Sequence, residues 1–478
     1  MTEQKAQLSN NAIWAYSFYG VFQTWAVWLP LLYVSLFMTT YLGVTTAAMG
    51  TIFLVSKFLD FIICVTAGGI IESANFKGGR YLPWIKMLKW VIFICGVGQF
   101  TDISFIPYGL RVILIGIFYV LLNGSMNYVS TAQYGVMALM AGGNYTDRIR
   151  IAQRSTQVNA ASSIFLSFGT VPIITFVGKA LNNPAMGYTV VAAIFGATII
   201  IGGLWLQSVA KAYDKPREHN APKRKVSFKE VIEAITTNDQ LIVYLTWQII
   251  VQIGTYIFST ISIYYWTLVM GGFDSWYSIG SGIGTCFGFV FAMFIPKIGV
   301  KLGKIKSLYI AQVAGWVSHI LYYIFGLKSY YYMTVISVIT QAVTYLQMGF
   351  GANYILDLGE YGYYKTGKDM RGVVNSLTFV PMKASMTIGS TLGAYVLSWI
   401  KFDDFNNQQI AGTLDRTSDA FVKFQKTYMA VYCFVPLVTS ILGFLVFKSG
   451  YKITDDKAVF YAQENAKKAA MAAGSPEA

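Results

Sequence analysis

Apolar runs long enough to cross a lipid bilayer recur along this chain, and short polar segments separate them. A helix needs about 20 mainly apolar residues to span the hydrocarbon core. By that measure we predict about twelve spans, near residues 14–38, 45–71, 82–101, 108–140, 154–178, 185–209, 241–270, 276–296, 307–326, 330–356, 372–400 and 427–448. The pattern therefore predicts an all-α membrane protein, with tilt or kinks in the longest runs.

The longest internal polar segment divides the predicted spans six against six. We therefore expect an N-terminal bundle over 1–209, a cytoplasmic linker over 210–240, a C-terminal bundle over 241–448 and a cytoplasmic tail over 449–478. Within the linker, Ser227 with a glutamate three residues later predicts the start of an interfacial helix.

A weak internal repeat supports two halves. The segment GGIIESANFKGGR follows the second span, and the segment IPKIGVKLGKIK follows the eighth. Both contain glycine and basic residues at matching places. Six-plus-six repeats around a midplane site are a known transporter architecture.

Basic residues collect in alternate loops, which predicts the orientation. They occupy the segments around 77–80, 148–154, 211–229, 297–306 and 365–371. The largest loop of the other side, 401–426, contains aspartates that offset its own basic residues. Because cytoplasmic loops carry the excess of Lys and Arg, both termini are expected to be cytoplasmic. The polar start MTEQKAQLSNN lacks the pattern of a cleaved signal, so the first helix is expected to direct insertion.

Composition excludes several classes of protein. The chain is 55% hydrophobic and only 12% charged, unlike a soluble domain. Its net charge of +14 lies in short loops, not on a basic face, so no nucleic-acid partner is expected. The four cysteines lie in apolar runs without metal-ligand or paired spacing, and there are only two histidines. We expect no disulfide, metal, cofactor or catalytic nucleophile–base set.

Charged residues inside predicted spans are candidates for function because they are costly in a membrane. Asp60 lies in the second span and Lys383 in the eleventh, while Lys57 precedes Asp60 by three residues. Either Asp60 binds a coupling ion, or it is neutralised by one of these lysines and only stabilises helix packing.

Polar and aromatic side chains mark a candidate substrate site. Arg154, at the start of the fifth span, either donates hydrogen bonds into a cavity or anchors the helix at the interface. Thr24 and Trp25 in the first span, with Tyr128 and Thr131 in the fourth, belong to a set that combines stacking rings with hydrogen-bonding groups, as sugar binding requires. Such residues also join transmembrane helices, so part of the set is expected to serve packing.

Two stretches carry a family resemblance. The sequence TYLGVTTAAMGTIFLVSKFLD resembles the second span of the glycoside-pentoside-hexuronide:cation symporter family of the major facilitator superfamily, and GEYGYYKTGKDMRGVVNSLTFVPMK resembles the family's segment between spans 10 and 11. The resemblance implies the major facilitator fold, with two six-helix bundles and alternating access.

The resemblance also implies roles for particular residues. Asp60 matches a carboxylate of the family's cation site. Lys383 matches the lysine between cation and sugar, and Arg154 matches the arginine near the sugar. The cytoplasmic gate segment contains Glu360, Tyr361 and Arg371.

Departures from the family pattern change which coupling ion and which substrate we expect. Ile63 and Cys64 occupy positions where the family carries oxygen ligands, and a hard cation such as Na⁺ binds neither side chain well. Proton coupling through Asp60 is therefore expected, or else uniport. Thr24 and Thr131 stand where the family pattern has acids, and Gly135 stands where it has an aromatic residue. These differences disfavour a simple galactoside as the substrate.

The resulting hypothesis is a secondary transporter in the plasma membrane of a bacterium, with a sugar or glycoside as substrate, H⁺ as coupling cation and membrane lipid as surroundings. Two alternatives remain open. One is a carrier of a non-sugar or amphipathic solute, and the other is a sensor-like protein that has lost transport.

Overall fold

The computed structural model describes residues 8–74, 76–142, 144–216, 233, 235–271, 273–368 and 371–472, and long helices make up most of them. Those of the first half are α1 (Asn10–Thr40), α2 (Thr46–Ser73), α3 (Leu82–Gly98), α4 (Tyr108–Ala141), α5 (Tyr145–Ala180) and α6 (Pro184–Ala210). Those that follow are α7 (Asp239–Tyr264), α8 (Ser278–Ala292), α9 (Ile295–Phe325), α10 (Tyr330–Met348), α11 (Gly351–Thr366), α12 (Arg371–Leu377), α13 (Phe379–Trp399), α14 (Phe402–Ile410), α15 (Asp419–Gly450) and α16 (Asp455–Ala472).

The membrane-spanning helices occupy the places that the apolar pattern predicts. Within the described residues, nine helical stretches are long and apolar enough to cross a membrane, and α10 with α11 forms one of them. The helices α3 and α8, of 17 and 15 residues, and α13, of 21 residues, occupy the predicted third, eighth and eleventh spans.

Short polar residues start several of these helices. The side chain of Ser9 accepts a hydrogen bond from the Ala12 amide at the start of α1, and Thr45 does the same for α2. Asn144 and Ser418 cap α5 and α15 in the same manner. Each cap satisfies an amide that the helix itself leaves without an acceptor.

The chain forms two compact units. The first unit comprises Met1–Pro222, Ile263–Gly282 and Ala394–Asp415, and the second comprises Lys223–Ser262, Ile283–Gly393 and Arg416–Ala478. The boundaries of the two bundles, the linker and the tail that the sequence predicts remain a prediction. Most of the predicted linker, including the expected interfacial helix at Ser227, lies outside the described residues.

The predicted internal repeat has a counterpart in each unit. In the first unit Gly79 adopts a φ of 120°, and a Cβ there would lie 2.7 Å from the carboxylate of Asp214, which follows α6. In the second unit Gly303 adopts a φ of 74° against the carboxylate of Asp455, which follows α15. Only glycine adopts these backbone angles without strain and leaves the carboxylate room.

Two segments contain helices that the sequence pattern did not predict. The expected loop 401–426 contains α14, and the expected tail 449–478 contains α16. Both helices are amphipathic and too short or too polar to cross a bilayer, so a search for apolar runs does not detect them.

Candidate functional site

Hydrogen bonds join α1 to α5 along a line of small polar residues. Ser17 Oγ lies 3.1 Å from Ser155 Oγ, and one to two turns further along, Thr24 Oγ1 donates to Asn159 Oδ1 at 3.4 Å. Thr24, predicted as a substrate contact, is therefore held by α5. The residues Ser155 and Asn159 were not predicted, although their four-residue spacing places them on one face of α5.

Trp25 extends this line by one more contact. Its indole Nε1 donates to Ser162 Oγ at 2.6 Å, and its ring stacks on Phe165 at a centroid distance of 5.5 Å. The ring of Phe195 from α6 lies 5.1 Å away. Trp25 thus contributes both its polar edge and its ring to the packing of α1, α5 and α6.

Side-chain amides connect α1 to α4. Gln23 Nε2 donates to Gln133 Oε1 at 2.7 Å, and Ser130 Oγ donates to Gln23 Oε1 at 3.3 Å. A Cβ at Gly20 would lie only 3.1 Å from the Gln133 amide nitrogen, so this glycine lets the network form close to α1. Neutral amides both donate and accept, which suits them to recognise hydroxyl groups.

Lys57 and Asp60 of α2 are each bound by an asparagine of α4. Lys57 Nζ donates to Asn123 Oδ1 at 3.3 Å and lies 5.2 Å from the centre of the Tyr119 ring. Asp60 Oδ1 accepts a hydrogen bond from Asn127 Nδ2. Because Lys57 and Asp60 are only 3% and 4% exposed, they form a buried polar layer between α2 and α4.

The next turn of α2 is apolar. Ile63 packs against α4, where its Cδ1 would lie 3.0 Å from a Cβ at Gly124. Cys64 is a free, half-buried thiol. Among the described residues, no group of three or more His, Cys, Asp or Glu side chains is arranged to hold a metal ion.

The remaining predicted residues of α4 face other partners. Tyr128 stacks on Trp84 of α3, with centroids 5.1 Å apart and an interplanar angle of 11°. Thr131 Oγ1 donates to the carbonyl of Asn127 in its own helix. At Gly135, a Cβ would lie 2.4 Å from the Tyr81 ring, which leaves no room for a larger side chain.

Arg154 lies at a polar cavity of about 180 Å³ between the start of α1 and residues 150–157 of α5. Its guanidinium carbon is 4.5 Å from the centre of the Trp14 ring, and Nη1 donates to Gln157 Oε1 at 3.2 Å. In the same cavity, Arg150 donates to Asp147, Asn10 and the carbonyl of Leu8. The Arg154 side chain is exposed, and a guanidinium carries five N–H donors in all.

Predicted gate residues meet in the second unit. Arg371 Nη1 lies 2.9 Å from Glu360 Oε1. The Asn465 amide of α16 donates to the Glu360 carbonyl at 2.9 Å and to its Oε2 at 2.7 Å. Tyr361 donates to Asp239 at 2.8 Å. Asn465 was not predicted because its helix was not.

Lys383 belongs to α13 in the second unit, apart from the unit that contains the other predicted substrate residues. Its side chain is half-buried, and its carbonyl accepts a hydrogen bond from Thr387.

A set of membrane-spanning helices with buried charges, amides and a polar cavity defines a polytopic membrane transporter. Similarity to known proteins identifies it more closely. The chain belongs to the MFS/sugar transport protein family, which matches residues 17–455. The resemblance to the glycoside-pentoside-hexuronide symporters and the major facilitator fold are thereby confirmed, and the chain is a transporter and not an enzyme.

Individual relatives are similar to this chain at low identity. The chain is 24% identical over 403 residues to a glucuronide carrier protein homolog of Escherichia coli (strain K12), covering 82% of this chain and 84% of that protein. It is 22% identical over 438 residues to a lactose permease of Leuconostoc lactis, covering 87% and 63%. A solved structure of a bacterial homologue of the lysosomal transporter Spinster matches with a TM-score of 0.60 at 13% identity, over 93% of this chain and 96% of that one. This last similarity supports the fold alone.

Proposed function

We propose that this transporter is a proton-coupled symporter that moves a sugar or glycoside across the plasma membrane of a bacterium by alternating access, with both termini in the cytoplasm. Asp60 is the proposed proton carrier. Arg154 and Lys383 are proposed to bind the substrate together with the polar residues of α1 and α4, and Glu360, Tyr361 and Arg371 form the proposed cytoplasmic gate.

The environment of Asp60 is the observation that carries the proposal. Its buried carboxylate accepts a hydrogen bond from an asparagine amide. An amide group also has an oxygen that accepts from a protonated carboxyl, so Asn127 can stabilise both protonation states after rotation. The apolar turn at Ile63 and Cys64 lacks the oxygen ligands that Na⁺ prefers, which supports H⁺.

Neutral and charged donors support a carbohydrate as substrate. Gln23, Gln133 and Asn159 place amide groups along α1, α4 and α5, where a hydroxyl-rich solute would find both donors and acceptors. Arg154, stacked on Trp14, adds charged donors. The glucuronide carrier homolog and the lactose permease named above are relatives whose names refer to sugars.

Uptake by purified protein in liposomes tests this proposal. A panel of radiolabelled glycosides, pentosides and hexuronides is presented under a proton gradient or a sodium gradient. We expect accumulation of a panel member under the proton gradient alone. Asp60→Asn should abolish accumulation but allow downhill exchange, because an amide cannot carry the proton.

The matched control is Asp456→Asn, which neutralises an exposed carboxylate and should transport normally. Sodium-driven accumulation would overturn the assignment of H⁺. Normal accumulation by Asp60→Asn would leave Asp60 with a packing role only.

A further inference from the structure

The short helix α14 packs against the ends of α1 and α2. It lies between α13 and α15 in sequence, yet it belongs to the first unit, together with the end of α7. Lys401, with a left-handed φ of 61°, turns the chain into α14 immediately before the buried Phe402. Residues more than 350 positions apart in sequence therefore meet here.

Asp403 of α14 binds the first residue of α2. Both of its carboxylate oxygens accept from the backbone N–H of Thr46 at 3.1 Å, and Oδ2 also accepts from Thr46 Oγ1 at 2.9 Å. An anion at this position satisfies an amide that α2 leaves without a partner and interacts favourably with the positive end of the helix dipole. Charge-assisted bonds of this kind are stronger than neutral ones.

The end of α1 is held by the same segment. Asn406 Nδ2 donates to the carbonyl of Thr39 at 3.2 Å, and Thr39 Oγ1 lies 3.2 Å from the hydroxyl of Tyr264 at the end of α7. The Tyr264 ring packs on Phe402 at a centroid distance of 4.4 Å, and both rings are fully buried. Gln409 donates to the carbonyl of Thr267, which fixes the far end of α14.

A second contact lies one turn deeper along α2. Thr51 Oγ1 is 3.1 Å from the hydroxyl of Tyr395 in α13. A Cβ at Gly50 would lie 3.3 Å from the Cβ of Ala394, so these helices approach closely. The contacts thus extend from the helix ends inward along α2.

We propose that α14 seals the transport pathway at the end where α1 and α2 meet, and that Asp403 is the positioning residue that holds the seal against Thr46. Opening toward that side then requires the α14 segment to separate from α1 and α2. The inference rests on the proposed function only in assuming a pathway that opens alternately to two sides.

Access to a buried residue below the seal tests the inference without substrate, ion or gradient. Ser35 lies one turn from Thr39 on the same face of α1 and is 9% exposed. In purified protein, Ser35→Cys is labelled with a hydrophilic maleimide, and the wild-type chain gives the background of its four native cysteines. Asp403→Ala should increase the labelling rate about tenfold, because it removes charge-assisted bonds from one state only.

Three further variants complete the experiment. Asp404→Ala removes the exposed neighbouring carboxylate and should leave labelling unchanged, whereas Asp403→Glu should restore most of the protection. Thr46→Val removes the hydroxyl bond from the α2 side and should increase labelling by a smaller factor, which keeps the test valid if Asp403→Ala does not fold. If the folded Asp403→Ala and Thr46→Val proteins are labelled at the wild-type rate, the proposed seal is wrong. Gradient-driven uptake tests the proposed function separately, so normal uptake in these variants does not support the seal.

Discussion

At the scale of single residues, the arginines of the α1–α5 cavity differ in how their donors are used. Arg150 binds a carboxylate, an amide oxygen and a backbone carbonyl, so its role is to hold the start of α5 in place. Arg154 has its plane fixed by Trp14 and one donor bound to Gln157. A guanidinium has five N–H donors, and the exposed Arg154 side chain is accessible to a solute. The partners of their donors, and neither charge nor proximity to the cavity, therefore distinguish the two.

Arg154→Gln is expected to weaken substrate binding by about tenfold or more, since hydrogen bonds to a charged group contribute about 1.5 to 3 kcal/mol. Equilibrium binding of the transported solute, measured by calorimetry, checks this. Arg148→Gln serves as the control because Arg148 is exposed and donates to the carbonyl of Gly142. Equal affinity in the Arg154 and Arg148 variants would assign Arg154 to interfacial anchoring.

Asp403 gives the seal a defined pH dependence. Burial raises the pKa of this carboxyl above its usual 3.8 despite the bonds from Thr46, and Asp404 raises it further. A raised pKa means that the sealed state binds a proton more tightly than an open state with an exposed carboxyl. The extra stabilisation that comes from proton binding is therefore complete below the ordinary pKa and is lost as the pH rises through the raised one, whereas the hydrogen bonds from Thr46 to the carboxylate remain.

Labelling of Ser35→Cys should consequently decrease as the pH falls from neutral toward the raised pKa of Asp403, after normalisation to the exposed position Asn407→Cys. Asp403→Asn should remove this dependence. The neighbouring titratable groups are Asp404 on α14 and the Tyr264 hydroxyl on α7, so Asp404→Asn is measured in parallel. Faster labelling at acidic pH would contradict the expected direction of the pH dependence.

At the scale of helices, polar contacts between neighbours determine which faces meet. The start of α3 illustrates this, because Asp214 accepts hydrogen bonds from the backbone N–H groups of Arg80, Tyr81 and Leu82 at 2.7 to 2.9 Å. Three amides at one helix start are thus satisfied by a residue that follows α6. The close fit of Gly79 against the same carboxylate fixes the approach of the loop.

Replacing Asp214 should therefore destabilise the first unit. Asp214→Ala leaves three helix-start amides without their acceptor, at a cost of about 1.5 to 3 kcal/mol or more. We expect a lower melting temperature in detergent, measured by intrinsic tryptophan fluorescence. Lys215→Ala, at the exposed next position, should melt like the wild-type chain. An unchanged melting temperature for Asp214→Ala would show that water replaces the lost acceptor.

The helices were predictable from the sequence to a greater extent than their contacts. Apolar runs predicted where the membrane-spanning helices lie, because a bilayer imposes a minimum length on each. The same signal is silent about α14 and α16, whose stability comes from packing against other helices and not from apolar length. Residue type marked Thr24, Trp25 and Asp60 as unusual, but it did not predict that they pair with Asn159, Ser162 and Asn127, since pairing depends on helix rotation.

At the scale of the whole molecule, the distribution of charge among the loops predicts which side of the membrane each loop faces. The chain carries 36 Lys and Arg against 22 Asp and Glu, and most of the excess lies in the loops after even-numbered spans. The α1–α2 and α13–α15 connections, where the proposed seal lies, belong to the opposite side. An inward excess of positive charge and an even number of spans together predict that the seal faces the exterior.

Cysteine labelling in intact bacterial cells that express the chain tests this orientation. Ala462→Cys places a thiol on the exposed face of α16, and Asn407→Cys places one on the exposed face of α14. The spanning helix α15 lies between these two positions in sequence and should therefore put them on opposite sides of the membrane. A membrane-impermeant maleimide should label Asn407→Cys in intact cells and Ala462→Cys only after permeabilisation. The wild-type chain, whose cysteines lie within helices, provides the background. Labelling of Ala462→Cys but not Asn407→Cys in intact cells would place the C-terminus outside, and labelling of both variants would contradict a membrane crossing by α15.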